Sequence, residues 1–77
     1  MENLFPIRFT QLLNESDMTY EEIAKKLGFK SKGTISKYAK GMNKKVDIGT
    51  IVRIANLFDV SPIWLIGLTD DMHYKIK

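Results

Sequence analysis

Six lysines fall between Phe29 and Lys45, in the stretch FKSKGTISKYAKGMNKK, with no acidic residue among them. Widening the window to Ile23–Val46 gives eight lysines (Lys25, Lys26, Lys30, Lys32, Lys37, Lys40, Lys44, Lys45) and still no Asp or Glu. The remaining residues hold four basic groups against nine acids, so a net charge of +3 divides into a segment of +8 and a remainder of −5. A mixture of Lys and Glu would read as an ordinary solvated face. Charge of one sign, gathered in one place, repels itself and is expected where a polyanion compensates it. The chemistry on offer is that of ammonium donors toward anionic or acceptor-rich surfaces.

Other chemistry is thinly supplied. There is no cysteine, hence no disulfide framework and no thiolate metal site. His73 is the single histidine and stands in the C-terminal tail, and no Ser/His/acid set falls on the expected helices. Thr69-Asp70-Asp71 places two acids side by side without a second ligand cluster, a poor metal site. No enzyme activity, cofactor, metal or small-molecule ligand is expected. No apolar run approaches the roughly 20 residues of a membrane span, and no signal-peptide pattern opens the chain. A cytoplasmic protein without membrane contact is the expectation.

The elements that must position the lysines read as helices, because no strand alternation is sustained. Pro6 suits a first helical turn, followed by Ile7, Phe9, Leu12 and Leu13, with the helix fading near Glu15. Thr19-Tyr20-Glu21-Glu22 is a capping box opening a second helix, whose stripe is Ile23, Ala24 and Leu27 and whose end is Gly28. Ser31 is placed to cap a third helix running to Lys40 and Gly41. Asp47 opens a fourth, with Ile48, Ile51, Ile54, Ala55 and Phe58 at helical spacing. Ser61-Pro62 starts a short fifth helix, PIWLI, which Gly67 stops. The expectation is one all-α, five-helix domain over residues 1–67 and a C-terminal tail, 68–77, loose at its end.

Helices two and three, joined by a short turn at Gly28, form a helix-turn-helix. Ile35 and Tyr38 would face inward, leaving Lys32, Gly33, Ser36, Lys37 and Lys40 outside. That outer face is small or cationic, the profile of a helix entering a DNA major groove. Backbone N–H groups at the start of helix two and the lysines of the MNKKV loop would hold phosphates.

The segment TYEEIAKKLG…TISKYAKG…VDIGTIVRIANLFDVSPIWLIG resembles the Xre/Cro phage-repressor-like helix-turn-helix family, from Phe9 to about Gly67. Its second half meets an iA-x-x-(L/F)-x-V-S-x-x-(W/L)-L pattern through Ile54, Ala55, Phe58, Val60, Ser61, Trp64 and Leu65. The resemblance implies a double-stranded-DNA-binding transcriptional regulator, a repressor, working as a homodimer on a two-fold symmetric operator. It implies base reading by Lys32, Gly33, Ser36 and Lys37, and phosphate binding by Thr19, Tyr20, Lys40, Asn43, Lys44 and Lys45. Family members often dimerise through the fifth helix, where four successive apolar residues cannot all face one core. Trp64 and Leu65 fit the inward positions, which leaves Ile63 and Ile66, with Leu68, for a subunit interface. Two alternatives stand beside this reading: an antitoxin-like module whose basic face binds an acidic protein, and the N-terminal piece of a longer phage repressor.

Three departures from the family pattern are visible. Five residues, FKSKG, separate Gly28 from Thr34 where four are usual, so the turn is one residue longer. Val46 stands where a proline commonly precedes the cap of helix four. Leu13 and Ala39 replace an Arg–Glu pair between helices one and three and are expected to pack together, largely buried.

Overall fold

A computed structural model of the protein describes residues 4–42 and 46–75. Its five helices are α1 (Phe5–Glu15), α2 (Tyr20–Leu27), α3 (Lys32–Ala39), α4 (Ile48–Phe58) and α5 (Pro62–Leu65), with no strand among the described residues. None of these helices is long and apolar enough to cross a membrane. The five largest fully buried side chains are Phe9, Ile23, Ile35, Ile54 and Leu65, one from each helix. A single core therefore needs all five elements at once. α3 lies against α2 and α1, α4 against α2 and α5, and α5 closes back on α1.

α1 begins at Phe5, one residue before Pro6, so the proline's missing N–H falls in the first turn where no intrahelical acceptor waits. Phe5 and Phe9 stack at 5.5 Å and define the inward face with Leu12 and Leu13. Ile7 does not belong to that stripe. It is 65 % exposed, because two residues from Phe5 is about 200° around the helix. Leu13 is buried, and Ala39 is half-buried against the core, its carbonyl accepting from the Thr10 hydroxyl at 3.0 Å.

Gly28 ends α2 at φ 80°, ψ 22°, a left-handed conformation that glycine adopts without a Cβ clash. The next amide, Phe29 N–H, donates to Ala24 O at 2.8 Å, which turns the chain sharply toward α3. Phe29 then packs on Tyr38, ring centroids 5.6 Å apart, and Tyr38 meets Phe5 edge-on at 6.2 Å. The longer turn is thus seated on an aromatic row rather than left to bulge.

α4 follows its expected stripe with one exception. Ile48 is 79 % exposed. It shares an angular face with Ala55, but as the first residue of the helix it stands beyond the end of the packed layer. The buried position near that end goes to Thr50, whose hydroxyl donates to the Asp47 carboxylate. Asp47 occupies the cap position but directs its carboxylate chiefly to that hydroxyl, without a regular side-chain cap bond, and the Ser31 hydroxyl likewise makes no cap bond to the first turn of α3. At α5 the capping is complete: the Ser61 hydroxyl accepts from Ile63 N–H at 3.1 Å and Trp64 N–H at 3.5 Å.

Beyond α5 the chain folds back. Ser61 N–H donates to Met72 O at 2.7 Å, and the Met72 side chain packs on the core. Arg8 of α1 reaches the same segment, donating to the carbonyls of Trp64 and Thr69 (2.7 Å to the latter) with its guanidinium 4.9 Å from the Trp64 ring centre. Sequence periodicity gave no sign of Arg8, since its partners are carbonyls far along the chain.

Candidate nucleic-acid interface

At the start of α2 the capping box is formed in both directions. Thr19 Oγ1 accepts from Glu22 N–H and Thr19 N–H donates to Glu22 Oε1, each at 3.1 Å. The two Thr19 hydrogen bonds, backbone first, hold the Glu22 carboxyl below its ordinary value of 4.5, with Lys26 and Lys25 assisting. Both polar groups of Thr19 are therefore engaged with Glu22. The N–H groups of Tyr20 and Glu21, at the first two positions of α2, have no intrahelical acceptor and point outward from the helix end.

The first turn of α3 stands opposite. Thr19, Tyr20, Glu21, Lys32, Gly33 and Ser36 line one open groove between the two helices. Five of these were expected from sequence to contact DNA, and the fold brings them together although they come from two separate segments. Ile35 is fully buried beneath this face and Tyr38 half-buried, as the inner positions of α3 require. Gly33 has a negative φ, and a Cβ built on it would meet only the Ser31 hydroxyl at 3.5 Å, an ordinary contact. Neither backbone conformation nor internal packing demands glycine here. Glu21 is the groove residue outside those expectations, an acid standing beside positions expected to meet phosphates.

Lys37 and Lys40 are exposed on α3 and at its C-cap, outside the groove lining. Asn43, Lys44 and Lys45 lie outside the described residues. Arg53 of α4 supports the unit from behind, donating to Leu27 O, one of the last carbonyls of α2, at 3.3 Å. Ile63 and Ile66 are half-buried and Leu68 is 61 % exposed; they lie on and just after α5, apart from the α2–α3 groove. Across the turn from that groove, Lys25, Lys30 and Lys32 share a second cleft with Glu21, Ala24, Phe29 and Ser31.

Comparison with known proteins agrees with this geometry. A family model described as helix-turn-helix matches residues 10–65. An uncharacterized HTH-type transcriptional regulator, YobD, from Bacillus subtilis (strain 168) is 34 % identical over 70 residues, which cover 91 % of this chain and 61 % of the relative. The chain therefore spans about three-fifths of that relative's length. No solved structure gives a significant match. With more than half of its residues inside the family model, and with the capped α2, the glycine turn and the cationic α3 in their places, the chain belongs to the helix-turn-helix family, the Xre/Cro-like group its sequence resembles.

Proposed function

We propose that this chain is a sequence-specific, double-stranded-DNA-binding transcriptional regulator of the cytoplasm, acting as a repressor. The observation that supports it best is the shared groove of Thr19, Tyr20, Lys32, Gly33 and Ser36, flanked by exposed Lys37 and Lys40. In this reading α3 enters the major groove. Lys32, Gly33, Ser36 and Lys37 meet base edges, where a lysine favours guanine O6 and N7. Tyr20, the free N–H groups of the first turn of α2, Lys40, and the loop residues Asn43, Lys44 and Lys45 position the phosphates. Thr19 contributes by ordering that turn.

Ile63, Ile66 and Leu68 are the proposed homodimer interface, so that two copies of α3 read two half-sites related by a two-fold axis. Repression would follow from occupying a promoter. The family membership and the similarity to an HTH-type transcriptional regulator support the DNA-binding part; the groove supports the choice of face. Selection of bound duplexes from a random pool tests the proposal. A two-fold symmetric consensus is the expected result, and recovery of unenriched sequence would overturn it.

A further inference from the structure

Lys25 and Lys26 sit side by side near the end of α2 and by sequence read alike, as solvated charges. The fold separates them. Lys25 lines a cleft with Lys30 of the turn and Lys32 of α3, over a floor of Ala24 and Phe29, and Lys26 does not. The cleft has a volume of about 370 Å³, within the roughly 300–1,000 Å³ of ligand sites. None of the three lysines has an ion-pair partner among the described residues; the one salt bridge there is Arg8–Asp70. Ser31, also in the lining, keeps its hydroxyl free of the cap bond its position would allow. Glu21 stands at the rim shared with the base-reading groove, its carboxylate unpaired among the described residues.

Lys25 of α2 and Lys30 of the turn line this cleft with a hydroxyl beside them, and Lys32 stands where it borders the base-reading groove. The mutual repulsion of these lysines is relieved by an anion placed between them, and the cleft opens to solvent, so that a chain can pass across it. We propose that this cleft holds a backbone phosphodiester of the bound DNA. Lys30 of the turn stands in the wall, and its neighbour Phe29, also in the lining, is anchored on Tyr38. Glu21 opposes the same phosphate and limits how tightly any DNA is held. The inference rests on the DNA-binding reading above and adds to it a second phosphate contact outside the expected set.

The test is fluorescence anisotropy of the whole chain on its selected duplex and on a scrambled one, across a salt series. Removing two of the cleft charges, Lys25→Ala with Lys30→Ala, should weaken both duplexes in parallel and flatten the slope of log affinity against log salt by about one unit, since each phosphate contact contributes about 0.9. Lys26→Ala should change the slope by less than half a unit, Lys25→Arg with Lys30→Arg should keep the parent slope, and Glu21→Gln should tighten both duplexes. A double-alanine variant with the parent slope would overturn the proposal while leaving base preference, and so the regulator reading, intact. A parent that binds no duplex would remove both. Inorganic phosphate, titrated at constant ionic strength, separates a free anion from a strand phosphate. The amide signals of Lys30–Lys32 should stay in place with it and move with duplex. Saturation of those amides by inorganic phosphate alone would reassign the cleft and end the proposal.

Discussion

Lys37 and Gly33 do different work on α3, and substitutions tell them apart. Lys37 is exposed and one residue past Ser36, so its ammonium is free to reach an acceptor pair on a base edge. Lys37→Ala should cost about 1–3 kcal/mol on the selected duplex and relax preference at one base pair per half-site, whereas scrambled DNA should be affected less. A parallel loss on both duplexes would mean that Lys37 follows phosphates. Gly33 presents no side chain, and within the protein nothing requires that. Alanine there should fit beside Ser31 and raise stability by about 0.5 kcal/mol through helix propensity. If the bare backbone at Gly33 is what lets DNA come close, the same variant should bind more weakly while melting at a higher temperature. Opposite signs in the two measurements are the signature; a Gly33→Ala protein that binds as the parent does would remove Gly33 from the proposed contact set. Position alone made these residues legible in sequence. That packing does not demand glycine at position 33 needed the structure, because only the space around a Cβ shows it.

Among the elements, those written in local chemistry were readable in advance. The capping box at Thr19–Glu22, the left-handed Gly28 and the Ser61-Pro62 start each concern atoms a few residues apart, and each forms as expected. Stripes were less certain where a helix end was involved: Ile7 and Ile48 have the spacing of core residues but lie outside the packed layer, and the polar Thr50 takes a buried place because Asp47 satisfies its hydroxyl. Arg8 and Arg53 were invisible, since each serves carbonyls distant in sequence. The local cap also sets a pH dependence. Glu22 and Asp47 are both held below their ordinary values, 4.5 and 3.8, Glu22 chiefly by Thr19 and Asp47 chiefly by the Thr50 hydroxyl. A depressed folded-state pKa gives stability that is present above the unfolded value and lost as pH falls through the folded one. The melting temperature should therefore drop on acidification below about pH 4.5, starting with Glu22 and continuing through Asp47. Glu22→Gln should remove the upper part of that drop, and Thr19→Ala should cost about 0.5–2 kcal/mol at neutral pH. A Glu22→Gln protein whose melting temperature falls with acid as the parent's does would place the pH dependence elsewhere.

At the scale of the whole molecule, two surfaces join what lies far apart in the chain. The first is the proposed subunit contact. Leu68 is exposed and Ile66 half-buried beside it, so Ile66→Glu should raise the dimer dissociation constant and weaken binding to a two-half-site duplex while leaving helix content unchanged. Sedimentation of the parent as a monomer at tens of micromolar, with or without DNA, would count against it. The second is internal. Arg8, on the first helix, holds the carbonyls of Trp64 and Thr69 and covers the Trp64 ring, and it reaches Asp70 at 3.4 Å across an exposed edge. The exposed ion pair contributes little, because solvent screens it. The carbonyl bonds are different: the Arg8 side chain is only 13 % exposed, and deleting it strands acceptors in a place where water enters poorly. Arg8→Leu should thus destabilise the fold by about 2–3 kcal/mol, and Arg8→Lys should recover only part of that, since an ammonium can serve the carbonyls but lacks the planar guanidinium that lies over the Trp64 ring. Asp70→Ala should change stability by less than about 0.5 kcal/mol. Hydrogen exchange locates the effect. Ser61 N–H is protected by Met72 O, in the segment that Arg8 fastens, so its amide should exchange faster in Arg8→Leu before the amides of α2 do. Uniform acceleration across α2 and Ser61 alike would show instead that Arg8 supports the core as a whole, with no separate hold on residues 69–72.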